Sequence, residues 1–269
     1  MRSEGAEGQE GRNSMTGESL EILFADEHLV AINKPAGLLV HRSPIDRRET
    51  RFALQLLRDQ LGRRVFPVHR LDKPTSGVLL FGLSAEAARR MAESFAGRRV
   101  EKTYLAVLRG HSESEGLIDY PLVEEPERRE RGQRGADSMP REAQTVFRRL
   151  AAVELPHAVG RYATSRYCLV EARPLTGRRH QLRRHFKHLF HPIIGDTRYG
   201  EGRHNRFFRE RLDCPRLLLS AVELAFPHPF QPQAVTVTAP LDDSFVRLLD
   251  RLDWLGAVPG RWLPVRGMP

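Results

Sequence analysis

Apolar and polar positions begin to alternate at Leu20. Leu20–Phe24 and Leu29–Ile32 flank the polar turn Asp26–His28, which predicts a hairpin of two short strands. Ahead of it, Met1–Glu18 holds Gly, Glu, Ser and Arg with almost nothing to bury, so residues 1–18 are expected to be a disordered tail. Asn33-Lys-Pro-Ala-Gly37 then breaks regular structure, because Pro35 lacks an N–H and Gly37 tolerates positive φ, and a sharp basic turn is expected. Phe52, Leu56 and Leu57 recur at helical spacing within Arg51–Leu61, and Gly62 stands where that helix would stop. Ser84–Phe95 repeats the pattern, with Ser84 placed to cap the start and Gly97 beyond the end. Between the two helices the polar loop His69–Gly77 feeds an apolar run, Val78–Phe81, that reads as a buried strand.

Strand patterns follow at Lys102–Leu108, Glu142–Leu150, Arg166–Ala172, Leu217–Ser220, Val222–Phe226 and Val235–Ala239, and a short amphipathic helix at Phe245–Leu252. Glu124–Arg141 is dense in Glu, Arg, Gly and Pro without periodicity and is expected to be a mobile excursion from the sheet. No internal repeat is visible. The class is therefore mixed α and β (α+β), with one domain expected at residues 19–255 and a C-terminal tail at 256–269.

Charge changes this picture more than size does. With 43 Lys and Arg against 34 Asp and Glu, the chain of 269 residues carries a formal net charge of +9. Polyanions are the expected partners, although a solvated, arginine-rich surface would give the same total. Cys168 and Cys214 stand far apart with no C-x-x-C spacing, which supports neither a disulfide framework nor a thiolate zinc site and agrees with a reducing compartment. No apolar run could span a bilayer and no apolar segment follows the N-terminus, so a soluble, cytoplasmic protein without a membrane partner is expected.

Three places could carry chemistry. In His69-Arg-Leu-Asp-Lys-Pro-Thr-Ser-Gly77 one acid, Asp72, lies between Arg70 and Lys73 in a backbone tightened by Pro74 and Gly77. That suits a carboxylate held out into a cleft, and equally an ordinary turn aspartate paired with Arg70. In Thr176–Leu189 a loop leads into a basic helix, with Arg179 and Arg183 on one face and Leu182 and Phe186 on another. Its N-terminus would favour an anion, either a phosphate or a carboxylate such as Asp72. The alternative is a solvated basic helix. Tyr104 sits in a strand, where a core tyrosine with a satisfied hydroxyl is the commoner reading. His180, His185, His188 and His191 lack zincin spacing and a nearby thiolate or carboxylate, so they are expected to be surface or RNA-facing residues and no metal is expected. Nothing matches a P-loop, a G-x-G-x-x-G turn or a G-x-S-x-G elbow, so no cofactor is expected.

The residues of the Asp72 loop resemble the H-R-L-D-x-x-T-S-G signature of RluA-type pseudouridine synthases. Lys102-x-Tyr104, Thr176-Gly-Arg-x-His-Gln-Leu-Arg183, Leu219-Ser220 and Asn33-Lys-Pro-x-Gly37 resemble further motifs of that family, in order along the chain. The resemblance implies a mixed α/β catalytic domain around a largely antiparallel sheet with flanking helices, and a basic central cleft that binds RNA. It implies Asp72 as catalytic aspartate, Arg183 as its salt-bridge partner and Tyr104 as the phenol beside a flipped base and the group that removes the C5 proton. His69, Arg70, Thr75, Arg178, His180 and Gln181 follow as substrate-binding residues, with Arg70 helping to hold the base out.

Longer strings, Leu39–Ser43, Asp119–Glu125, Gly160–Tyr167 and Gln181–His185, resemble a tRNA-acting subgroup of the family that modifies uridine 65. A tRNA partner is thus implied, with ribosomal RNA as the alternative, and a monomer is expected. Two other classes compete: an RNA-binding assembly factor that keeps the cleft without catalysis, and a hydrolase that releases the base using the same aspartate. Intact Asp72, Tyr104 and Arg183 speak against the first, and the mass of the product separates the second.

Overall fold

The computed structural model describes residues 19–42, 49–124 and 139–265. The expectations for residues 1–18 and for most of the 124–141 excursion lie outside these. Ten strands form one sheet: β1 (Ile22–Ala25), β2 (Leu29–Lys34), β3 (Phe66–Pro67), β4 (Ser76–Gly82), β5 (Glu101–Arg109), β6 (Glu115–Asp119), β7 (Gln144–Leu155), β8 (Ser165–Pro174), β9 (Leu219–Pro227) and β10 (Ala234–Thr238). The helices are α1 (Ala53–Leu61), α2 (Ala85–Ala96), α3 (Gln181–His188), α4 (Gly202–Arg211) and α5 (Asp243–Arg251). None of the described helices is long and apolar enough to cross a membrane.

The strands run in the order β1-β2-β4-β9-β5-β8-β7-β6, with β10 on β9 and β3 on β4. Every pair is antiparallel except β4 with β9, which touch in parallel only at Ser76↔Ser220 and Gly77↔Ala221. The mixed class and the largely antiparallel sheet are thus as expected.

Period-two alternation assigns the two faces. Leu79 and Phe81 join Val30, Ile32, Ala53 and Leu57 in one cluster under α1, while Val78 and Leu80 join Ala87 and Met91 in another under α2. Likewise Ala106 and Leu108 pack with Leu182 and Phe186 of α3, whereas Leu105 and Val107 pack with Phe208 of α4 and Phe245, Leu248 and Leu249 of α5. Tyr104 borders both the α1 cluster and the α3 cluster, and so marks the seam between the two halves on one face of the sheet.

The turn chemistry is partly as read. Ser84 accepts the Ala87 N–H at the start of α2, Asp242 accepts the Phe245 N–H at the start of α5, and Gly62 takes the left-handed conformation after α1. After α2, however, Gly97 stays at negative φ and Arg98 takes the left-handed position at φ 56°, its guanidinium clasping Glu142. Helix α4 was missed because nearly all its residues are charged or polar and its one buried anchor, Phe208, gives no periodic stripe. Packing also continues past residue 255. Val258 and Trp262 belong to the α4–α5 core and the Trp262 carbonyl accepts the Leu241 N–H, so packing holds the chain through Trp262. Trp262 is 1% exposed.

Candidate active site

Three strands set the site's register. Gly77 of β4 pairs with Ala221 of β9, which pairs with Tyr104 of β5, so the end of the Asp72 loop and the phenol stand in one row, two strand spacings (roughly 10 Å) apart. Gly77 has φ +107°, and a Cβ there would lie 2.0 Å from the Ala221 carbonyl oxygen. Only glycine lets β4 and β9 approach this closely. Beside it, Ser76 donates to Ser220 at 3.0 Å and accepts from Arg216 at 2.7 Å, while Arg216 also pairs with Asp242.

The loop is tightened from below by the basic turn at 33–37. The Lys73 carbonyl accepts the Gly37 N–H at 2.9 Å and the Lys34 ammonium at 3.2 Å, and the Asp72 carbonyl accepts the Thr75 N–H. Lys34 is fully buried and donates further to the Pro35 and Leu38 carbonyls at 2.9 and 2.8 Å. Burial and the charge of Arg216, partly offset by Asp72, push its pKa down to about 7. Two motifs far apart in sequence therefore meet at one carbonyl next to Asp72.

Asp72 does not pair with its sequence neighbours. Lys73 turns away to Glu49 at 2.7 Å and Arg70 is exposed. Its Oδ2 instead accepts from Nη1 of Arg183 at 3.0 Å, and its Oδ1 lies 3.7 Å from Nε2 of His180. Arg183 is 6% exposed, pointing inward from α3 and not along a solvated face. Its Nε and Nη2 fork onto Asp196 at 2.7 and 2.9 Å. Burial alone would lower the pKa of Arg183, but Asp196 and then Asp72 push it above its ordinary value. Burial alone would raise Asp196; the Arg183 guanidinium and the Tyr199 and Arg198 N–H groups outweigh it and hold that carboxyl below its usual range.

Sequence reasoning missed Asp196. It lies in the connection after α3, where its signal was two glycines: a Cβ at Gly195 would sit 1.9 Å from the Arg216 carbonyl oxygen, and one at Gly200 2.2 Å from that of Asp196. Tyr104 is half-buried, and burial together with the Asp72 charge pushes its phenol above the ordinary value. Lys102, two residues earlier on the same face, donates to the Thr176 carbonyl at 3.0 Å, and burial lowers its pKa to about 8.

Several residues expected to bind substrate also make contacts within the fold. Nε2 of His69 accepts the Leu80 N–H, its ring stacks on Phe95, and burial followed by the charge of Lys102 pushes it down to about 3. Thr75 is buried. Gln181 uses its whole amide, accepting from Thr176 and the Arg178 N–H and donating to the Gln144 carbonyl and Thr145, which staples the 176–181 loop to β7. Arg178 donates to the Glu142 carbonyl. The four histidines do not converge either, and one corrects the surface reading: His185 is fully buried between Thr145 and the Tyr120 carbonyl. His188 stacks on Tyr120 and His191 binds the Arg109 carbonyl. Asp72, Tyr104, His180 and Arg183 lie together around the seam, and Arg70 is exposed.

A profile of the RNA pseudouridylate synthase family matches residues 28–188, which span the 33–37 turn, the Asp72 loop, β5 and α3. The chain belongs to the RNA pseudouridylate synthase family. It is 52% identical over 235 residues to tRNA pseudouridine synthase C of Vibrio cholerae, covering 87% of this chain and 96% of that one. It is 50% identical over 235 residues to the protein of the same name from Haemophilus influenzae, covering 87% and 98%. Among solved structures, human RNA pseudouridylate synthase domain containing 4 superposes with a TM-score of 0.65 at 27% identity, covering 87% of this chain and 93% of that chain. Human RNA pseudouridylate synthase domain containing 1 superposes with 0.63 at 30% identity, covering 83% and 84%. The RluA-type resemblance read from the motifs is borne out.

Proposed function

We propose that this pseudouridylate synthase isomerises a uridine of tRNA, with uridine 65 as the target, and that Asp72 is its catalytic carboxylate. The observation that carries the reading is the Asp72–Arg183–Asp196 chain. A half-buried carboxylate faces the seam, and a guanidinium fixed by a second, fully buried carboxylate holds one of its oxygens. Such an arrangement aims an acid at a bound ring, and more than half of the guanidinium's donors serve the aiming. The relatives named tRNA pseudouridine synthase C support tRNA as the substrate. The catalytic unit would run from residue 19 through Trp262, as a monomer.

In this reading the target uridine leaves its stack, at a cost of a few kcal/mol that cationic and aromatic groups offset. Asp72 then either attacks C1′ or removes a ribose proton, the N1–C1′ bond breaks, the uracil turns while bound, and C5 joins C1′. The C5 proton ends on N1, so atoms and electrons balance without a co-substrate. Tyr104 as a standing phenolate base is disfavoured by its raised pKa. A phenol that stacks on the base and passes a proton only as the C5 proton leaves suits its burial better.

The test is to incubate the protein with unmodified tRNA, label pseudouridine with carbodiimide and map reverse-transcription stops, with Asp72→Asn as control. A new stop at position 65, absent in the variant while tRNA affinity persists, is the expected result. A stop on ribosomal RNA alone would keep the chemistry and replace the substrate. Release of free uracil would make the protein a hydrolase, and full activity of Asp72→Asn would remove Asp72 from its role.

A further inference from the structure

The Gly195–Gly200 segment that carries Asp196 carries a second buried side chain aimed at the same place. Tyr199 is buried, and its backbone N–H donates to Oδ1 of Asp196 at 3.0 Å. Its hydroxyl lies 2.8 Å from Nδ1 of His180, the two rings meeting edge to face with centroids 5.6 Å apart. Its ring face lies 5.2 Å from the Arg183 guanidinium carbon, with Arg198 at 5.4 Å and Lys187 at 5.8 Å. Tyr199 thus touches both residues that approach Asp72, one with its oxygen and the other with its ring.

Electrostatics decides what the hydroxyl does. Burial and the surrounding arginines, opposed only by Asp72, push His180 down to about 4, so the imidazole is neutral near pH 7 and carries a single N–H. If Tyr199 accepted that N–H at Nδ1, the Nε2 lone pair would face Oδ1 of Asp72, two electron-rich atoms 3.7 Å apart. If Tyr199 donates to Nδ1, the proton sits on Nε2 and points at the carboxylate. The second arrangement is the lower in energy by its sign alone. His180 is also held at φ 55°, a left-handed position that a β-carbon normally avoids, as the residue that precedes α3. That conformation costs free energy, and the ring's placement between Tyr199 and Asp72 is what it achieves.

We infer that Tyr199 is a positioning residue for the isomerisation: its hydroxyl locks His180 as the tautomer that presents Nε2–H to one oxygen of Asp72, while its ring seats Arg183, which holds the other. This rests on the reading of Asp72 given above. The two functions are separable, since Tyr199→Phe removes the first and keeps the second.

The experiment uses the full chain and an unmodified tRNA transcript, comparing wild type, Tyr199→Phe, His180→Ala and the double variant in single-turnover conversion and in tRNA binding. Loss of the hydroxyl is expected to slow conversion about tenfold, the effect of one aimed hydrogen bond, with tRNA affinity unchanged. In the His180→Ala background the same change is expected to have no further effect, because its route to Asp72 is gone. Additive losses, or a wild-type rate in Tyr199→Phe, would overturn the inference. The tautomer is read independently from the ring-nitrogen NMR shifts of protein labelled with nitrogen-15 histidine. His180 protonated on Nε2 in wild type and altered in Tyr199→Phe supports the inference, and protonation on Nδ1 overturns it. If wild type itself converts no tRNA, the reading of the function fails, and the tautomer measurement still decides the contact.

Discussion

Replacing Asp196 with Asn tests the aiming of Asp72 without touching it. In the native protein Oδ1 of Asp196 accepts three donors, Nη2 of Arg183 at 2.9 Å and the N–H groups of Arg198 and Tyr199 at 2.9 and 3.0 Å. Oδ2 accepts Nε of Arg183, at 2.7 Å. The amide will therefore keep its oxygen in the crowded position and present its NH₂ to Arg183, so that a charge-assisted hydrogen bond becomes donor against donor. Arg183, buried and left with Asp72 as its remaining carboxylate, swings toward it. Breaking one side of a buried pair costs about 3–5 kcal/mol of stability. Misplacing the guanidinium by about an ångström costs roughly a hundredfold in rate. Single-turnover conversion of unmodified tRNA, tRNA binding and thermal unfolding are measured on the same preparation. The expected result is a lower melting temperature, a rate down by about two orders of magnitude and an unchanged affinity. A folded Asp196→Asn protein converting tRNA within about twofold of wild type would refute the argument that Arg183 needs a second carboxylate to aim the first.

Other consequences are as direct. Lys34→Met removes three hydrogen bonds to backbone carbonyls and is expected to lower the unfolding free energy from urea titration by at least ~2 kcal/mol, and an unchanged value would mean those carbonyls find other donors. Trp262→Ala is expected to cost about 3–5 kcal/mol in the same assay; a surface-like effect would contradict its place in the core. His69, His180 and His185 hold pKa values of about 3, 4 and 4 when folded, below the ordinary 6.5. Between those limits the unfolded chain binds protons that the folded one refuses, so stability is expected to fall as pH drops from about 6.5 toward 4, and a flat denaturation midpoint across that range would oppose it. Affinity for tRNA is expected to fall steeply with salt if phosphates meet the excess of positive charge, and a log–log slope near zero would contradict a basic cleft.

Local patterns in the chain determined much of this protein. The alternation at 78–81 and 102–108 placed strands and divided their faces, Ser84 and Gly62 marked helix ends, and the motif residues pointed to Asp72, Tyr104 and Arg183 in a pseudouridylate synthase before any contact was visible. Each of these signals is short-range, written in periodicity or in contiguous motifs, and so survives in one dimension. Partnership does not. Asp72 sits between two cations in sequence, yet its ion-pair partner stands 111 residues away, because Lys73 turns to Glu49 and α3 brings Arg183 against the carboxylate. Asp196 and Tyr199 escaped for the same reason: the partners that place them in the site, Arg183 and His180, stand 13 and 19 residues away. Gln181 and His69 read as substrate-binding residues because they share motifs with the reactive ones, and the packed structure adds that the Gln181 amide bonds the 176–181 loop and β7 and that Nε2 of His69 accepts the Leu80 N–H. Helix α4 and the anchor at Trp262 escaped because a single large apolar residue carries no period, while in three dimensions one such side chain, fully buried, is enough to fix a segment.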